Sequence, residues 1–104
     1  MKLIYTAMSK KLFYFRMHIS KYVLSKNSVP INPFMIHEYF LLDTVDRNVV
    51  RESNNILVKK SDEIWVFGDI RDVVLKEIKI ARKMKKPIKY FQVINSKNII
   101  EVNE

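Results

Sequence analysis

The sequence predicts a three-layer α/β domain: a parallel sheet of four to five strands with helices on both faces. Three observations point there. Short apolar runs lie at 2–7, 63–67 and 88–94, and the first, rich in β-formers, lacks the clean alternation of a half-exposed strand, as expected of a strand covered on both sides. Amphipathic stretches of helical period lie between them. At 104 residues the chain can bury one modest core but not two, so a single domain is expected over residues 1–104.

Lys2 to Ala7 reads as the first and central strand. Ser9 stands where an N-cap belongs, and Leu12, Phe15, Ile19, Tyr22 and Val23 then fall on one stripe of a helix that ends near Ser25 to Ser28. In Val29-Pro30-Ile31-Asn32-Pro33 each proline fixes its own φ and disfavours helix in the residue before it, so a short edge strand is expected. Phe34 to Leu42 is dense in apolar residues and is read as helix. Asp46 to Lys60 is a helix with Val50, Leu57 and Val58 turned inward, followed by the strand Glu63 to Phe67, which Gly68 closes. Asp69 and Asp72 occupy an N-cap and a third helical position, and the amphipathic pattern of Val73 to Lys85 runs until Lys86-Pro87 stops it. Ile88 to Ile94 is another strand, and Ile99 to Val102 is an optional fifth.

Strands alternating with helices through short loops require right-handed crossovers between parallel neighbours. The expected strand order is 2-1-3-4(-5), a flavodoxin-like (Rossmann-like) arrangement. Such sheets bind ligands beyond the carboxyl ends of the strands, where strand order reverses. Here that rim comprises Thr6 to Ser9, Asn32 to Met35 and Phe67 to Asp72.

Composition removes several function classes. No apolar run approaches the roughly 20 residues of a membrane span, and the N-terminal apolar stretch is too short for a secretory signal. The chain has no cysteine, which excludes disulfides and thiolate chemistry and fits a cytoplasmic location. A single glycine excludes the usual glycine-rich phosphate and dinucleotide loops. His18 and His37 have no carboxylate at metal-ligand spacing, so neither a metal nor another cofactor is expected. The net charge of +8 invites a nucleic-acid reading. The basic residues are nonetheless scattered, with clusters only at Lys10-Lys11, Lys59-Lys60 and Arg82 to Lys89, so a solvated surface is expected and a nucleic-acid partner is not.

The sharpest feature is in the helix after Gly68. Val73, Val74, Ile78, Ile80, Ala81 and Met84 define a broad apolar face with Glu77 near its middle, while Lys76, Lys79, Arg82 and Lys83 lie opposite. A buried unpaired carboxylate is penalised by several kcal/mol or shifts its pKa upward, so this residue has either a task or a partner. The partner reading is a structural carboxylate bonded to Arg16, Tyr5 or a backbone amide. Asn54 interrupts the apolar stripe of the preceding helix and either reaches the rim or marks the margin of the buried face. Asp72 either binds a ligand or complements the helix dipole. Tyr5 either enters the site from the first strand or fills the core. His37-Glu38 with Asp43 and Asp46 reads as solvated.

The segments Ile4-Tyr5-Thr6-Ala7, Ser61-Asp62-Glu63-Ile64-Trp65-Val66-Phe67-Gly68, Asp72-Val73-Val74-Leu75-Lys76-Glu77-Ile78 and Lys86-Pro87-Ile88 together resemble the nucleoside 2-deoxyribosyltransferase-like family. The resemblance spans most of the chain through short motifs. It implies N-glycosidic cleavage or transfer on a (deoxy)nucleoside or nucleoside 5′-monophosphate, with Glu77 matching the family's nucleophilic glutamate and Asp72 the acid before it. Tyr5 would position the nucleophile, Asp72 would orient the sugar or assist departure of the base, and Phe34 to Asp46 would cover the base, with Phe34, Tyr39 and Phe40 suited to stacking. Ser9, Asn32, Phe34, Asn54, Gly68 and Arg71 join Tyr5 as expected ligand contacts, and Arg71 with Lys10 favours a phosphate on the ligand. Met8-Ser9 and Val73 stand where the family favours glycine, and Asn54 stands where an acid is common. An asparagine bonds a sugar hydroxyl but is no anionic base. The resemblance also implies a homo-oligomer, a dimer or higher, for which five methionines and an aromatic content of 12% supply apolar surface. A binding module of the same fold without turnover is the alternative.

Overall fold

The computed structural model describes residues 1–103, with the side chain of Tyr39 outside that description. Its element order is β1 (Leu3–Met8), a 3-10 segment (Lys10–Phe15), α1 (Arg16–Ser25), β2 (Val29–Ile31), α2 (Pro33–Ile36), α3 (Tyr39–Thr44), α4 (Arg47–Lys60), β3 (Glu63–Phe67), α5 (Asp72–Lys83), β4 (Ile88–Asn95) and β5 (Asn98–Val102). The strands form one sheet in the order β2-β1-β3-β4-β5.

The apolar runs become the sheet's centre because side chains of a strand alternate between its two faces. Tyr5 and Ala7 of β1 join Ile64 and Val66 of β3 in one cluster, closed by Val58 of α4 and by Val74, Ile78 and Ala81 of α5. Ile4 and Met8 join Trp65 and Phe67 in another, closed by Ile19 and Val23 of α1. Both clusters are buried, which is why neither strand alternates in polarity. The stripe expected on the first helix is found, since Leu12, Phe15 and Tyr22 pack against the second cluster. There the Phe67 and Phe91 rings stack with centroids 4.8 Å apart, and Tyr22 meets Phe91 in a T-shaped contact with centroids 5.5 Å apart. Burial of each such side chain stabilises the fold by about 1.5–3 kcal/mol.

The sheet is mixed, not purely parallel. β1 pairs with β2 and β3, and β3 with β4, all in parallel, whereas β5 runs antiparallel to β4. Only Ser96 and Lys97 separate these two strands, and a parallel return needs a crossover of about a dozen residues. The turn is fixed by the Asn95 side chain, whose Oδ1 accepts from the amides of Lys97 (2.9 Å) and Asn98 (3.0 Å).

Three local expectations change. Ser9 stands at the cap position but its side chain makes no capping bond, and the helix opens as a 3-10 turn. The middle segment is not one helix. Asn32 caps α2 by accepting from the Phe34 amide at 3.0 Å, Pro33 supplies its first position, and extended backbone at His37 and Glu38 separates it from α3. Asp69 does not cap α5, because its carboxylate is drawn to Arg71 (3.6 Å) and Lys11 (4.0 Å), and the helix starts only at Asp72. Among the described residues, no helix is long and apolar enough to cross a membrane.

Candidate functional site

β1 and β3 are parallel neighbours with Met8 opposite Phe67, so their carboxyl ends open on the same side. A hollow of about 450 Å³ lies there. Its floor is apolar, made by Met8, Phe34 of α2, Leu42 of α3, Val50 of α4 and Val73 with Val74 of α5. Basic side chains also line it: Lys10 and Lys11 after β1, Arg47 and Arg51 on α4, and Arg71 before α5. Asp72 is the acid among the lining residues. No side chain caps the first turn of α5, so the positive end of its dipole adds to the basic character.

A second hollow of about 340 Å³ adjoins the first, with Arg51, Asn54 and Val73 in the walls of both. Glu77 lines this smaller space together with Asn48, Glu52, Asn55 and Lys76. Glu77 is 4% exposed and receives a hydrogen bond from the hydroxyl of Tyr5, itself fully buried. The inward turn of Glu77 follows from the helical period that also buries Val74, Ile78 and Ala81. Burial pushes its carboxyl up from the ordinary 4.5 to about 7, and the bond from Tyr5 opposes that rise. Burial, and then the facing charge and bond of Glu77, push the Tyr5 hydroxyl well above its ordinary value. Near neutral pH the carboxyl therefore lies close to its own pKa, in the wall of the smaller hollow.

Asn54 connects the two spaces. Its Oδ1 is buried without a hydrogen-bond partner among the described residues. Buried polar atoms in this state are uncommon, and the residue that carries this one stands in the shared wall of the two hollows.

The structure brings together Ser9, Phe34, Asn54, Arg71 and Asp72 of the expected site residues around the larger hollow, and sets Glu77 in the smaller one. Tyr5 reaches the site only through Glu77. Asn32 is 2% exposed and lines neither space, because its oxygen caps α2 and its Nδ2 lies 3.4 Å from the Met8 sulfur. Gly68 also lines neither, and its place is conformational: φ is +77°, and an added Cβ would lie 2.7 Å from Leu12 Cδ1. Arg16 is not the partner of Glu77, since its guanidinium bonds the Phe13 carbonyl at 3.0 Å and sits over that ring. Of the expected cover, Phe34 and Leu42 face the hollow, Phe40 is exposed, and the side chain of Tyr39 lies outside the described residues. His37 Nε2 is hydrogen-bonded to Ser53 Oγ at 3.1 Å, tying the middle segment to α4.

Arg47, Arg51 and Lys11 were not among the expected ligand contacts. A signal for the two arginines is present in the sequence: Arg47, Val50, Arg51 and Asn54 have the i, i+3, i+4, i+7 spacing of one helical face, and all line the hollow.

At the opposite edge, Glu63 forms a separate network. It pairs with Lys2 Nζ at 2.6 Å and accepts from Trp65 Nε1 at 3.0 Å. Burial raises its carboxyl, but these two bonds together with the charges of Lys2 and Lys89 outweigh it and hold the group below its ordinary value. Among the described residues, no group of histidines and acids is placed to hold a metal ion.

A comparison with curated proteins gives no match. A family model matches residues 5–91, from Tyr5 in β1 to Phe91 in β4, which spans both hollows and the Tyr5–Glu77 pair. On this match the chain belongs to the family described as a domain of unknown function, DUF7768.

Proposed function

We propose that the chain is a nucleoside 2-deoxyribosyltransferase-like domain, three-layered and flavodoxin-like, that cleaves or transfers the N-glycosidic bond of a nucleoside or nucleoside 5′-monophosphate through Glu77. One observation carries this reading: a carboxylate held by Tyr5, with its pKa near 7, lines a hollow that shares Arg51, Asn54 and Val73 with a basic cleft. Ionised carboxylates act as nucleophiles in two-step glycosidic chemistry, the form Glu77 takes as pH rises through about 7. A Glu77 oxygen attacks C1′ as the bond from C1′ to the base breaks. The electron pair leaves with the base nitrogen, which takes a proton from a water oriented by Asp72 and leaves hydroxide. That hydroxide, or the nitrogen of a second base that gives its proton to the hydroxide, then attacks C1′, breaks the glycosyl ester and releases the carboxylate. Phe34 and Leu42 supply an apolar surface for the base, and Asn54 Oδ1 accepts from a sugar hydroxyl.

The test is incubation of the purified protein with a panel of nucleosides and nucleoside 5′-monophosphates, followed by chromatography for free base. Release is expected for at least one substrate and is lost in Glu77→Gln. Turnover equal to wild type in that variant removes Glu77 from the reaction.

The 4% exposure of Glu77 favours a second reading, in which the cleft binds a nucleotide without turnover. Thermal stabilisation by a ligand that yields no product selects it. Both readings place a homo-oligomer in the cytoplasm. The exposed Tyr14, Met17, Leu24 and Phe40 are apolar surface for such an assembly, and light scattering of the eluted protein gives its mass.

A further inference from the structure

The cations of the larger hollow exceed what one phosphate requires. Lys10, Lys11, Arg47, Arg51 and Arg71 line it, against Asp72 alone. Asp69 lies near Lys11 and Arg71 at 4.0 and 3.6 Å, but among the described residues no carboxylate pairs with Lys10, Arg47 or Arg51. A phosphate monoester carries about two negative charges at pH 7. Two of the three unpaired cations offset it, and the third, with the loosely held Lys11 and Arg71, is left over. Cations crowded around a concave surface repel one another, and that repulsion is relieved most by a ligand bearing more than one anionic group.

Their placement has the same consequence. Arg47 and Arg51 are one helical turn apart on α4 and line the hollow from the same helix face, a spacing that suits two adjacent phosphoryl groups. Lys10 and Lys11 approach from the end of β1 and Arg71 from the start of α5, so the charge reaches the hollow from three separate elements. The apolar floor lies between these elements and takes an uncharged part of the same ligand.

We propose that the larger hollow binds a diphosphate group, the two linked phosphates of a nucleoside diphosphate or of a conjugate containing one, with Arg47 and Arg51 as its principal contacts. This rests on the nucleotide reading of the cleft but is independent of the chemistry at Glu77.

Isothermal titration calorimetry of the full chain at about 0.15 M salt, where long-range attraction is screened, tests it with inorganic phosphate and inorganic pyrophosphate as probes. Pyrophosphate is expected to bind at least about tenfold more tightly than phosphate. Arg47→Ala and Arg51→Ala each remove most of that preference, while Lys79→Ala, on the exposed face of α5, leaves it intact. The arginines are exposed on a helix surface, so both variants keep the fold, which circular dichroism verifies. Equal affinity for the two probes overturns the proposal. So does an equal loss in Lys79→Ala, which reduces the effect to general charge. Tighter binding of a single-stranded oligonucleotide than of pyrophosphate also overturns it and assigns the cations to a nucleic-acid surface. Preference for pyrophosphate without base release leaves this proposal standing and removes the glycosidic one. Base release without the preference does the reverse.

Discussion

The hydroxyl of Tyr5 on β1 donates a hydrogen bond to the carboxylate of Glu77 on α5, joining residues 72 positions apart within the buried layer between sheet and helix. The pair sets the protonation of the carboxyl, because burial raises it to about 7 and the tyrosine bond limits the rise. Between its ordinary 4.5 and about 7, the folded protein retains a proton that the unfolded chain has released. Stability from this group therefore falls as pH rises through that interval and is constant above it.

Urea unfolding at pH 5 and pH 8 measures this directly. Glu77→Gln keeps an acceptor for Tyr5 and has no charge to bury, so it is expected to gain about 2–3 kcal/mol on wild type between the two conditions. Parallel pH profiles for the two proteins would show that the carboxyl is not raised. In the glycosidic reading, wild-type turnover climbs as pH rises through about 7, the ionised carboxylate being the nucleophile.

Tyr5→Phe removes the hydrogen bond that opposes the raised pKa. The expected loss is about 1–3 kcal/mol, larger at pH 8 than at pH 5, because the charged form is left without its donor. Any pH–rate profile shifts to higher pH. An equal loss at both pH values would mean that only the packing of the hydroxyl was removed.

Asn54→Ala separates binding from stability. Its buried Oδ1 has no hydrogen-bond partner among the described residues, so its removal is expected to change stability by less than about 1 kcal/mol in thermal or urea unfolding. Affinity for a nucleotide probe is expected to fall several-fold in the same variant. A large loss of stability with unchanged affinity would assign the side chain to the scaffold.

Gly68→Ala tests the turn that carries the chain from β3 to the rim. The positive φ of +77° disfavours any Cβ, and the new methyl must displace the end of Leu12. A loss of about 1–2 kcal/mol is expected, measured as a lower urea midpoint at unchanged slope.

Much of the framework is legible in one dimension. The two-sided burial of β1 and β3 appears as apolar runs without alternation, and the stripe Ile19, Val23 appears as helical spacing. Glu77 is legible for the same reason, as an acid at an apolar phase of α5. Asp69 misleads, because its side chain has ordinary capping chemistry and only the approach of Lys11 and Arg71 draws it elsewhere. Asn32 misleads in the opposite direction. It lies on the expected rim, but its two polar ends are taken up by the Phe34 amide and the Met8 sulfur.

The order of elements, the central place of β1 and the inward position of Glu77 were determined by the sequence itself, since each follows from the period of neighbouring side chains. The antiparallel turn of β5 was also fixed locally, by a connection too short for a crossover. Tertiary structure alone decided that Tyr5 is the donor to Glu77, that the Asn54 oxygen is buried without a partner among the described residues, and that Arg47 and Arg51 share a hollow with Lys10, Lys11 and Arg71. Those groups are remote along the chain and meet only after parallel crossovers fold their elements over one sheet, a juxtaposition that no local period records.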